Sequence, residues 1–128
     1  MEEYLIVPVI PQAEAKSLEQ FVSIMGDLVE RARAKSLTPA EMSGSTFTIS
    51  NLGMFGIESF TAIINPPETA ILAVGKIAET PVGVKGKIKL RPMMNVTLAA
   101  DHRVVDGAAA AQFLAELKAT LENPYLLI

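Results

Sequence analysis

The stretch "ADHRVVDGA", Ala100 to Ala108, holds the only histidine of the chain. His102 is followed four residues later by Asp106 and then by Gly107. An imidazole is the side chain best placed to take a proton near neutral pH. The preceding strand pattern sends Val96, Leu98, Ala100 and His102 to one face and Asn95, Thr97, Ala99, Asp101 and Arg103 to the other. His102 is therefore expected to end an apolar row, where a dry setting favours the neutral imidazole that a general base must be. A satisfied core histidine fits the same spacing. Asp106 stands just before an amphipathic stretch, where an aspartate serves as helix N-cap. A capping Asp106 would also fix the turn that aims His102. Spacing alone leaves these readings open.

Ser50 closes the alternating segment "STFTISNLG", which sends Phe47 and Ile49 to one face and Thr46, Thr48 and Ser50 to the other. A serine between strand and turn commonly bonds its own backbone. No G-x-S-x-G elbow surrounds it, so that signal of a hydrolase nucleophile is missing. Gly44, Gly53 and Gly56 are spaced as turn residues and make no phosphate-binding fingerprint. With no cysteine there is no disulfide and no thiolate. One histidine and no cysteine also argue against a zinc site, so no metal is expected.

The elements that must carry these residues follow from pattern. "YLIVPVI" (Tyr4 to Ile10) reads as a buried or edge strand broken by Pro8. Leu18, Phe21, Val22, Met25, Leu28, Val29 and Ala32 form one apolar helical face, whose Met and Phe residues read as core. "SLEQ" starts that helix as a capping box from Ser17 to Gln20. "TPAE" repeats the signal with Thr38, Pro39 and Glu41 and predicts a short helical turn. "MFGIESFTAIINPPE" suggests a short helix and then a proline-stopped loop. "TAILAVGKI" reads as a buried strand, "PVGVKGKIKL" as a hairpin turning at Lys85-Gly86, and "PMMNVTLAADHR" as another strand. From Gly107 the spacing of Ala110, Phe113, Leu114, Leu117 and Leu121 predicts an amphipathic helix ended by Pro124. The sum is α+β, a mostly β layer with helices packed on it.

The 128 residues suffice for one domain. Half of them are apolar, which is more than a small monomer easily buries, so an oligomer is expected. A net charge of -3 and a pI near 5.1 argue against a nucleic-acid binder. No run of about 18 apolar residues supports a membrane span, and no basic segment leads into an apolar one as in a signal peptide.

"DHRVVDG" after "MNVTLAA" resembles the acyltransferase component of 2-oxo-acid dehydrogenase complexes, whose motif is His, three residues, Asp-Gly. Chloramphenicol acetyltransferase shares that motif more distantly. "TFTISNLGMFGIESFTAIINPPETAILAVGKI" is similar to the central stretch of the same family, and "LIVPVI" with its capped helix to an earlier part. "ISNLGMFGI" and "INPPETAILAVG" look most like the acetyl-specific branch of pyruvate dehydrogenase complexes. Ala99 stands where many relatives have Ser.

The resemblance implies a chloramphenicol-acetyltransferase-like fold and transfer of an acetyl group between a dihydrolipoyl thioester and coenzyme A. It implies His102 as general base, Ser50 as donor to the oxyanion and Asp106 as the residue that orients the His-bearing turn. Coenzyme A would be a substrate, its contact residues unassigned. The lipoyl group would be carried on a separate domain. The implied partners are a homotrimer assembling into a larger hollow core, lipoyl domains, and the decarboxylase and dihydrolipoamide dehydrogenase components. The implied place is the bacterial cytoplasm or the mitochondrial matrix. A full catalytic domain of the family is roughly twice this long, so residues 1–128 are expected to be its C-terminal part, a shortened product. The rival readings are an inactive core or assembly fragment, a branched-chain or succinyl specificity, and a small-molecule acetyltransferase of the chloramphenicol type.

Overall fold

The apolar run "AILAV" is the element around which the strands of the candidate site assemble. The computed structural model describes residues 5–127, which divide into two units, residues 5–45 with Leu127 and residues 46–126. In the first unit Ser17 caps helix α1 (Leu18–Arg33). Its Oγ accepts the Gln20 N–H at 3.2 Å, and Gln20 Oε1 accepts the Ser17 N–H at 2.9 Å. These reciprocal bonds satisfy two of the donors that a helix start leaves unpaired. Pro39–Met42 forms the expected short turn, of 3-10 type. Glu41 there accepts from the Thr38 N–H at 2.9 Å and from the Arg31 guanidinium at 2.6 Å. The Arg31 hydrogen bond is the main reason its carboxyl is pulled down to about 2.

Two expectations for this unit need correction. Residues 5–10 form no strand, while Tyr4 lies outside the described residues. Pro8 removes one donor from the run, and the Val9 N–H goes to the Glu41 carbonyl at 2.8 Å, a lone tie without a ladder. The apolar face of α1 is core at Leu28, 4% exposed, and is open at Leu18, Val22 and Met25. One short segment and one turn of this unit cannot cover a 16-residue helix.

In the second unit β1 (Thr48–Asn51) runs parallel to β2 (Ala70–Val74), and β5 (Val96–Ala100) runs antiparallel to β2 on its other side. The order β1-β2-β5 makes β2 central. Ile71, Leu72 and Ala73 are all buried, so both faces of β2 are covered. That is why its sequence is a continuous apolar run and not an alternation. β3 (Ala78–Val84) and β4 (Lys87–Met93) form a separate two-stranded hairpin. It turns at Lys85 and Gly86, both at positive φ (50° and 74°), as a tight two-residue connection requires. Helix α2 (Gly107–Glu122) ends at Asn123, one residue before Pro124. Phe113 of α2 meets Phe47 with ring centroids 5.8 Å apart. The unit is α+β.

Three segments converge on Gly75, just past β2. Its N–H donates to the Asn95 carbonyl at 2.9 Å, and the Lys76 N–H donates to Ile57 at 2.7 Å. A Cβ on Gly75 would lie 1.9 Å from the Glu58 carbonyl oxygen. The nearest atoms are all backbone, so no flexible side-chain end can swing away. Gly83 has nothing within 4 Å of an added Cβ. Gly75→Ala is therefore expected to lower stability by about 1–3 kcal/mol or more, and Gly83→Ala to change it by less than about 0.5 kcal/mol. Urea unfolding of the two variants checks this; equal midpoints would refute the convergence at Gly75.

Candidate active site

Ser50 is the third residue of β1 and pairs with Ala73 of β2. It is half-buried and shares its face with Thr48, while Ile49 on the other face is 64% exposed. The polar face of this strand thus turns inward. The chain turns sharply after Asn51, whose Oδ1 accepts the Gly53 N–H at 2.9 Å. A single 3-10 turn, Gly53–Phe55, follows where a short helix was expected. Asn51, Gly53, Met54 and Met94 line part of an open groove beside this end of β1. Sequence marks Gly53 as a turn residue but gives no sign of Met54 or Met94 here, since only the fold brings Met94 to Asn51.

His102 departs from expectation in one respect. β5 stops at Ala100, and His102 sits exposed in the turn that follows, so it does not end a buried row. The cause is in the backbone. The Asp101 N–H is the last to reach the neighbouring segment, bonding the Thr69 carbonyl at 2.8 Å. The Asp101 carbonyl then accepts the Val104 and Val105 N–H groups at 3.0 and 2.9 Å, which closes a turn. Strand alternation ends there, and the face assigned to His102 by counting no longer applies.

The residues on either side of His102 clasp each other. Asp101 Oδ1 accepts the Arg103 backbone N–H at 3.0 Å, and the Arg103 guanidinium donates to the same carboxylate at 2.6 to 3.1 Å. The Arg103 side-chain bonds, more than any other cause, pull the Asp101 carboxyl down to about 2. An Asp that bonds the N–H two residues on is a common turn device, so Asp101 was findable in the sequence as a turn former. Asp106 is the N-cap of α2: its Oδ1 accepts the Ala109 N–H at 2.7 Å. Among the described residues no hydrogen bond joins Asp106 to His102; the bond Asp106 makes is the cap of α2.

Ser50 and His102 are kept apart by the sheet. Ser50 lies level with Ala73, and Ala73 with Thr97. β5 then runs three residues further to Ala100 before the His102 turn. At about 3.3 Å per residue along β5 and about 4.8 Å per strand across two strands, Ala100 is already roughly 14 Å from Ser50. Ser50 and the end of β5 that leads into the His102 turn thus lie toward opposite ends of the sheet. Among the described residues no three His, Asp or Glu side chains gather as a metal ion would need, and no helix is long and apolar enough to cross a membrane.

The clasp and the cap have measurable consequences. Because Asp101 is held below its ordinary 3.8, its ion pair is fully formed above about pH 4 and is lost as pH falls through about 2. Arg103→Ala should move the Asp101 carboxyl midpoint, read by NMR titration, back toward 3.8. Asp106→Ala should cost about 1 kcal/mol by urea unfolding, and Asp106→Asn far less, because asparagine caps as well as aspartate. Equal losses in the two variants would mean that the cap is not what Asp106 contributes.

A family model described as the acyltransferase catalytic domain of 2-oxoacid dehydrogenases matches residues 1–128. The chain is 45% identical over 128 residues to the acetyltransferase component of the pyruvate dehydrogenase complex of Rickettsia bellii, covering 100% of this chain and 31% of that protein. It is 52% identical over 124 residues to the corresponding mitochondrial component of Schizosaccharomyces pombe, covering 94% and 26%. It is also 45% identical to the human succinyltransferase component of the 2-oxoglutarate dehydrogenase complex, covering 97% and 27%. Among solved structures, a probable dihydrolipoamide acetyltransferase of Listeria monocytogenes aligns with a TM-score of 0.91 at 39% identity, over 95% of this chain and 52% of that one. The Azotobacter vinelandii dihydrolipoamide acetyltransferase, studied for a serine, a histidine and an asparagine in its catalytic mechanism, aligns at 0.90 and 44%, over 95% and 50%. The cubic core of a pyruvate dehydrogenase multienzyme complex aligns at 0.90 and 43%, over 95% and 50%. The chain spans about a third or less of the length of the curated relatives and about half of the solved chains. Matched along its whole length, it belongs to the acyltransferase catalytic-domain family of the 2-oxoacid dehydrogenases.

Proposed function

We propose that this chain supplies both halves of an acetyl-transfer site, with Ser50 of one copy facing His102 of another. One observation carries the reading. The serine and histidine studied in the Azotobacter enzyme lie 52 positions apart, and its asparagine follows the histidine by four. Ser50, His102 and Asp106 stand at the same intervals, with aspartate in place of the asparagine. The separation of Ser50 from His102 across the sheet supports a site made between copies, and a homotrimer supplies such junctions.

The chemistry is transfer of the acetyl group from a dihydrolipoyl thioester to coenzyme A. A thiol has a pKa of about 8.5, so only a few per cent is thiolate near neutrality. His102 takes the thiol proton as the sulfur bonds to the thioester carbonyl carbon. Ser50 donates its hydroxyl to the oxygen on which negative charge develops. His102 then returns the proton to the departing lipoyl sulfur as the old carbon–sulfur bond breaks. No acyl-enzyme is required. Asp106 fixes the start of α2, and the Asp101–Arg103 clasp fixes the turn from the other side, so His102 is held from both flanks. The lipoyl group arrives on a separate domain. The decarboxylase and dihydrolipoamide dehydrogenase would complete the complex, in the bacterial cytoplasm or the mitochondrial matrix.

The equal identity to an acetyltransferase of Rickettsia and a human succinyltransferase favours a second acyl specificity as the competing reading. Rates with acetyl- and succinyl-coenzyme A on dihydrolipoamide separate them, in a complete catalytic domain carrying this chain. Acetyl is expected to be faster. In the same assay His102→Ala should abolish transfer without loss of folding, and near-normal turnover would sink the general-base role. Ser50→Ala should lower kcat by about 10²–10³, the usual loss for an oxyanion donor. A change of under about threefold would reduce Ser50 to a strand-end residue.

A further inference from the structure

Glu68 is the buried charged residue of the described structure, 7% exposed, and nothing in the acyl transfer above uses it. Both of its carboxylate oxygens lie against the Thr48 hydroxyl, at 2.9 and 2.7 Å. A carboxylate withdrawn from water is tolerated where a donor meets it. Its own backbone is tied down, with the Glu68 N–H donating to the Asn65 carbonyl at 3.0 Å. The next residue, Thr69, accepts the Asp101 N–H that anchors the His102 turn. Two successive residues therefore hold both parts of the site. Glu68 grips the strand of Ser50 by its side chain, and Thr69 grips the turn of His102 by its main chain.

The grip on β1 has a specific effect. β1 is only four residues long and pairs on one side, with β2. A slip of one residue along β2 would send Ser50 to the opposite face. Thr48 and Ser50 are two residues apart and leave the strand on the same face. The Thr48 hydroxyl meets Glu68 only in the observed register, with Thr48 opposite Ile71. We propose that Glu68 is a positioning residue for Ser50: through Thr48 it locks the register of β1, so that the Ser50 hydroxyl faces the reacting carbonyl. This rests on the acetyl-transfer reading.

The test uses a complete catalytic domain carrying this chain, with steady-state transfer from acetyl-coenzyme A to dihydrolipoamide and amide hydrogen exchange of β1. Glu68→Gln keeps an acceptor oxygen and should hold kcat within about twofold. Thr48→Val and Glu68→Ala should each lower kcat about tenfold through misplacement of Ser50, with KM for acetyl-coenzyme A little changed. In a Ser50→Ala background neither should lower kcat further, because both act through that hydroxyl. Both should speed exchange of the β1 amides and leave those of β5 unchanged. Full kcat in Thr48→Val and Glu68→Ala overturns the proposal, as do losses that add to that of Ser50→Ala. Should Glu68→Ala not fold, Thr48→Val alone decides, since it preserves side-chain shape. Absence of transfer in the unsubstituted domain would sink the acetyl-transfer reading; unchanged β1 exchange in the variants would then still overturn the register lock.

Discussion

The hydrogen-bonded ladder of β2 decides where every group of the site can stand. β2 accepts β1 in parallel on one side and β5 in antiparallel on the other. The chain therefore leaves β1 at one end of the sheet and leaves β5 at the opposite end. Ser50 is near the first exit and His102 just past the second. That these two exits lie at opposite ends is a result of strand polarity. What keeps the ladder in place is apolar burial on both faces of β2. Ile71 and Leu72, each nearly withdrawn from solvent, contribute on the order of 1.5–3 kcal/mol apiece by transfer. The polar contacts of the site depend on the register that this burial fixes.

What could be read from sequence was local. The capping box at Ser17, the turn at Thr38, the hairpin at Lys85-Gly86 and the Asp106 cap all depend on residues within four positions of one another. The structure forms each of them. The apolar run of β2 was legible because burial on both faces leaves a continuous pattern. The end of β5 was not, because it is set by residues about thirty positions earlier. β5 can pair only as far as β2 begins, at Ala70, and its last bond goes to the Thr69 carbonyl. No count of alternation within "MNVTLAADHR" contains that information. For the same reason His102 was placed on a buried face when it is exposed. Glu68 was invisible, since a lone glutamate after two prolines carries no mark of burial.

The apolar excess seen in the composition is visible on the surface. Among the described residues the buried apolar ones, Leu28, Ile71, Leu72 and Ala73, are few for a chain that is half apolar. Ile63 is 92% exposed and Ile88 83%, and Met54, Phe55 and Leu90 are open as well. The hairpin shows why sequence and surface agree. On β4, Ile88 and Leu90 alternate with Lys87, Lys89 and Arg91, so one face is cationic and the other is apolar. Apolar surface of this extent on a small unit marks a place of interaction. A site shared between copies would require such surface on either side of the junction.

The segment after the two prolines gives that arrangement its internal consistency. In the closed ring of copies proposed above, each chain would contribute its Ser50 end to one junction and its His102 end to the next. All junctions are then alike only if the two ends of every chain keep one fixed relation. Glu68 and Thr69 are adjacent residues, so the bond to Thr48 and the bond to Asp101 share one anchor. A displacement of the anchor would move Ser50 and the His102 turn together and leave their relation within the chain intact. Separate anchors would let each end drift by itself, and an error of about 1 Å at either end of the junction is enough to cost a large share of the rate.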